Sequence, residues 1–231
     1  MAENVQSAQT TGYGSTTPAE RNKVLRNTYW LLALSLIPTV LGAYIGIATG
    51  ITVALTGFMG LIVFMAGAFG FIYAIEKTKN SAMGVPVLLG FTFFMGLMLS
   101  RMIGMILGFS NGASLVMTAF AGTAGVMVVM ATLASVIKRD LSGMSKWLFA
   151  GALVIIVAAV INVFVGSTML MAVISTLAIA VFSAFLLYDL KQVIDGGETN
   201  YISATLSIYL DLFNIFQSML ALLGIFGGDR D

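Results

Sequence analysis

Long stretches of this chain carry no charge, and the charged residues act as short punctuation between them. None occurs from Asn27 to Ile75, a run more than twice the ~20 apolar residues that one membrane crossing needs. The turn-forming "GIATG" at 46–50 divides it into spans at about 28–47 and 51–75. After the loop "EKTKNSAMG" comes a third span near 84–107, then the turn "GFSNGA" and a fourth span to about Ile137. "KRDLSGMSK" leads into another uncharged run, Trp147 to Tyr188, which divides at "VGST", 165–168, into spans five and six. "DGGETN" precedes a seventh span at about 201–225. Backbone in lipid must satisfy its own hydrogen bonds, so runs this long form helices. The expected fold class is all-α: a polytopic membrane protein with seven transmembrane helices. Gly57 with Gly60, and Gly122 with Gly125, are spaced to let neighbouring helices approach closely.

Composition agrees with that solvent. Of 231 residues, 59% are hydrophobic and 9% charged, against roughly 25% charged in a soluble domain. The net charge of +1 leaves no basic block for phosphates, which argues against nucleic acid as a partner. With no Cys there is neither a disulfide framework nor a thiol nucleophile. With no His, Ser-His hydrolases and most zinc sites are excluded.

The polar residues 1–27 lack an apolar h-region, so they read as a disordered tail rather than a cleaved signal. The expected domains are this tail, a transmembrane unit over 28–226 and a short C-terminal tail, 227–231. Seven crossings put the termini on opposite sides. All Lys and Arg fall on the N-terminal side except Arg101 and Arg230. By the positive-inside rule the N-terminus is cytoplasmic and the C-terminus outside.

The seventh span carries the informative chemistry. From Thr199 to Gly228 its one charge is Asp211. Ser203, Ser207, Asp211, Asn214 and Ser218 recur at helical spacing and share an arc of about 80°. A polar stripe faces lipid only at high cost, so this helix is expected to be central, with the stripe toward a wet cavity or other helices. Interhelical hydrogen bonding is the simpler use of the serines. Asp189 lies near the end of span six. Helical side chains lean toward their own N-terminus, so Asp189 and Asp211 lean toward each other across the hairpin. Two meeting carboxylates cannot both ionise freely and would share a proton. Alternatively, Asp189 is interfacial, paired with Lys191 or water. Arg101, near the outer end of span three, either snorkels to the interface or latches the bundle from within. Glu76, Asp140, Asp195 and Glu198 sit at loop edges, where solvation is the simplest role.

"KVLRNTYWLL" at the first span and "DGGETNYISATLSIYLDLFNIFQSMLALLG" at the last resemble the Bax inhibitor-1 family, closest to its bacterial YccA-like branch. The resemblance implies a seven-helix fold with helix seven surrounded by the other six. It also implies a pH-sensitive calcium leak sensed by an aspartate pair on helices six and seven, which Asp189 and Asp211 match by position. The branch further implies residence in a bacterial cytoplasmic membrane and binding to the membrane-anchored protease FtsH, with the N-terminal tail as handle.

Three function classes follow. A calcium-permeable leak would use Asp189 and Asp211 as transient ligands, with Ser203, Ser207, Asn214 and Ser218 along the path. Two carboxylates fall short of a 6–8-oxygen cage, which suits transit better than storage. A non-conducting regulator of FtsH would need only exposed surfaces and the tail. An aspartyl intramembrane protease would also pair aspartates, but its Gly-x-Gly-Asp motif is absent, since "IYL" precedes Asp211. The expectation is a non-enzyme without a resident cofactor, with lipid, calcium and protons as partners and Arg101 as the candidate latch.

Overall fold

The computed structural model describes residues 17–53, 55 and 57–228. Seven long helices follow in order: α1 Pro18–Thr49, α2 Gly57–Thr78, α3 Gly84–Leu107, α4 Gly112–Val136, α5 Ser145–Val165, α6 Thr168–Asp195 and α7 Tyr201–Gly227. A 3-10 turn, Ser142–Met144, precedes α5. All seven are long and apolar enough to cross a membrane, and no strand occurs among the described residues. Large apolar side chains such as Val40, Phe69, Phe149 and Phe164 point outward. That arrangement suits lipid as the solvent.

Two element boundaries differ from the hydropathy reading. Helix α1 starts at Pro18, not near residue 28, because local chemistry starts it. The Thr17 hydroxyl accepts from the Glu20 N–H, the Glu20 carboxylate accepts from the Thr17 N–H, and proline occupies the first turn. Thus residues 18–27, expected as part of the tail, form the first turns of α1. Residues 1–16 of that tail, and 229–231 with Arg230, lie outside the described residues. Helix α2 starts at Gly57 rather than 51. Gly50 ends α1 in the left-handed region at φ 64°, and Gly57 itself has φ 53°. Both are conformations that favour glycine.

The closest backbone approach between helices is not at the glycines expected, although Gly122 does lie against α7. A side chain at Gly42 would strike the Phe93 carbonyl, and one at Gly96 would strike the Thr39 carbonyl. Helices α1 and α3 therefore approach backbone to backbone at this crossing. By contrast, Gly57 and Gly125 face open space, Gly60 lies against the Leu55 backbone, and Gly122 packs on the Met219 sulfur.

Helix α7 packs against α1, α2, α3, α4 and α6, whereas α5 lies at the margin against α6 and α2. Helix seven is central, with five helices around it and α5 outside that ring. Its buried face, including Ile202, Ile208 and Ile215, meets Leu88, Phe91 and Leu186 in the main core. The Tyr209 hydroxyl hydrogen-bonds the Thr39 hydroxyl at 2.9 Å and donates to the Thr92 carbonyl at 3.5 Å, tying α7 to α1 and α3.

Candidate functional site

The hairpin between α6 and α7 positions both aspartates. Gly196, at φ 82°, caps α6, and the N–H groups of Gly197 and Glu198 close onto the Gln192 carbonyl. Asn200 caps α7 by accepting from the N–H groups of Ile202 and Ser203. Its amide reaches across to Lys79 O at 3.2 Å and Asn80 Oδ1 at 2.8 Å, bracing the hairpin against the α2–α3 loop. The Arg21 guanidinium contacts Asp195 O at 3.5 Å, so the early start of α1 also bears on this end.

Inside that braced end, the Asp189 and Asp211 carboxyls lie close enough to act on one another. Asp211 is 4% exposed, and Asp189 is half-buried. Asp211 Oδ2 is buried and meets no hydrogen-bond donor. Two acceptor-only carboxylates cannot bond each other, so a hydrogen bond between them would need a shared proton. Lys191 is not the partner of Asp189. Its buried ammonium pairs with Asp195 at 2.7 Å, one helical turn on, as the i,i+4 spacing allows. Glu198 is a further negative charge acting on Asp189. Among the described residues no cation forms an ion pair with either aspartate.

The rest of the stripe is packed rather than arranged around one ligand. Ser218 is buried; Ser203, Ser207 and Asn214 are half-buried. The Asn214 amide returns to the Leu210 carbonyl at 2.8 Å, and Ser203 Oγ is buried without a partner. Two clefts lie elsewhere. The larger, about 480 Å³, takes Phe213 and Gln217 from α7, about 200° and 240° around the helix from Asp211. Arg101 lines it, exposed, and donates to Leu55 O at 3.2 Å. The guanidinium thus ties α3 to the α1–α2 connection, away from the aspartates. Among the described residues no three Asp or Glu side chains are grouped to hold a metal ion.

The loop-edge acids are less free than their positions suggested. Glu76 pairs with Lys79. Asp140 accepts from the Ser142 N–H and hydroxyl, both at 2.8 Å. Those two donors hold its carboxyl below the usual carboxylate range. Asn200 escaped the sequence reading, although an Asn just ahead of an apolar periodic run is a helix-start signal.

A family model described as "Inhibitor of apoptosis-promoting Bax1" matches residues 21–228. The chain belongs to the Bax inhibitor-1 family. An uncharacterized membrane protein of Vibrio cholerae is 38% identical over 206 residues, 89% of this chain and 91% of that one. "Modulator of FtsH protease YccA" of Escherichia coli K12 is 35% identical over 208 residues, 90% and 92% of the two chains. An Escherichia coli O6:H1 relative at the same identity is called "Inner membrane protein YccA".

Proposed function

We propose that this chain is a multi-pass protein of a bacterial inner membrane that modulates a membrane-anchored protease of the FtsH type. The observation that carries this reading is the near full-length similarity to the relative named as modulator of FtsH. Lys77, Lys79, Lys138, Arg139 and Lys146 cluster at the ends of helices on the N-terminal face, which supports a cytoplasmic placement of that face. The test reconstitutes FtsH with a membrane substrate, with and without this chain. Altered substrate turnover is expected; identical turnover, with both proteins in the same vesicles, contradicts it.

The aspartate pair favours a second reading, a pH-gated calcium leak. With one proton between them, Asp189 and Asp211 tie α6 to α7. As pH rises through the titration of the pair, that proton leaves and two like charges remain in a poorly screened place. At ~4 Å and an effective dielectric of ~20 their repulsion is about 4 kcal/mol, enough to shift a two-state helix contact substantially. The separated carboxylates would then offer hard oxygen ligands to a passing Ca²⁺. Calcium flux into proteoliposomes should increase with pH for the wild type and respond weakly in Asp211→Asn. No flux at any pH would contradict this reading while leaving the protease modulator intact.

A further inference from the structure

The end of the bundle opposite the aspartates holds an arrangement that neither reading uses. Arg101 is the one charged residue of that half among the described residues. It is exposed and forms no ion pair there. A cleft opens on each side of it. One, about 480 Å³, runs between α2, α3, α5 and α7 past Leu61, Phe64, Leu99 and Val163. The other, about 390 Å³, lies between the end of α1 and α3, past Ile47, Val53 and Gly104. Arg101, Thr52 and Met105 line both.

We infer that the two clefts flanking Arg101 form a binding site for a two-chain anionic phospholipid, one acyl chain in each cleft and the phosphate on the guanidinium. Three physical points converge on this occupant. Arg101 lies six residues before the end of α3, so its Cα is about 9 Å from that end, and the side chain reaches headgroup level. The guanidinium presents planar donors suited to phosphate oxygens. The larger cleft extends inward to Phe213, fourteen residues before the end of α7 and hence about 20 Å along it, so its floor, apolar except for Gln217, lies at acyl-chain depth. A lone cation between two apolar troughs complements one negative headgroup bearing two tails. A soluble anion would leave both troughs unfilled.

The test uses the full chain in detergent, titrated with dioleoyl phosphatidylglycerol or dioleoyl phosphatidylcholine and read by native mass spectrometry. Phosphatidylglycerol should bind about five-fold more tightly, the ratio expected for one Arg at a membrane surface. Arg101→Gln should erase the preference but keep the shared weak binding, and Arg101→Lys should retain part of it. Leu61→Trp, which fills the larger cleft, should weaken both lipids. Thermal melting checks that each variant is folded. A readout that leaves both clefts open places Trp at the exposed Phe58 beside them by Phe58→Trp, with Trp30→Phe and Trp147→Phe. Brominated-chain phosphatidylglycerol should quench it more than brominated phosphatidylcholine at equal mole fraction. Equal binding of the two lipids by the wild type, an unchanged preference in Arg101→Gln, or inorganic phosphate competing as well as the lipid would each overturn the site.

Discussion

Tyr209 shows how one side chain can secure the central helix. Its ring packs edge-on to Phe91, and its hydroxyl meets both α1 and α3. Tyr209→Phe leaves the ring but removes those hydrogen bonds, and should cost about 1 kcal/mol in detergent unfolding; no change would mean the hydroxyl is idle. Asp140 gives a local pH dependence with a definite sign. Its carboxyl is held low by Ser142, so its bracing of the turn exists at neutral pH and is lost as pH falls through the folded value. Amide exchange at Ser142 should therefore quicken in acid beyond the change in chemical rate, and Asp140→Asn should lack that acid response. Lys191 shows how helical spacing selects a partner: two residues from Asp189 it points to another side of α6, and it pairs with Asp195 four residues on.

Seven helices were legible because charge is so costly in lipid that it marks the loops. The starts of α1 and α2 were less so, because hydropathy ignores capping. Thr17 and Glu20 begin α1 in polar sequence, and uncharged residues 51–53 form a turn that looks like continuing span. Thr17→Ala should fray the first turn of α1 at about 1 kcal/mol, seen as faster exchange at residues 18–21; unchanged exchange would show that tertiary packing holds that turn. Glycine spacing misled for a related reason: spacing does not reveal which glycine faces a backbone. Gly96→Ala should force α1 and α3 apart at a cost of about 1–3 kcal/mol. Gly125→Ala, in open space, should be neutral or slightly stabilising. Equal melting shifts for the two would refute the α1–α3 close approach.

Across the molecule, polar bracing concentrates at the N-terminal face, where α1, the α2–α3 loop and the α6–α7 hairpin meet. Deleting residues 1–16 leaves the Thr17 cap and Arg21 in place, so the bundle should keep its melting temperature while engagement by an FtsH-type protease weakens. Equal cellular half-lives of the full and shortened chains, with FtsH present, would contradict a role for that segment. Side-chain lean and stripe spacing pointed Asp189 and Asp211 toward each other, and the structure sets them close enough to interact; that Asp211 Oδ2 meets no donor depends on the packing around it. Hydrogen exchange across the α6–α7 hairpin, corrected for intrinsic rate, follows this contact whether or not the protein conducts. Protection of residues 189–205 should fall as pH rises in the wild type. It should become nearly independent of pH in Asp189→Asn and Asp211→Asn, with the double variant adding little because the two act as one unit. A wild type whose protection ignores pH, or single variants that keep the full response and add in the double, would contradict a shared proton between α6 and α7.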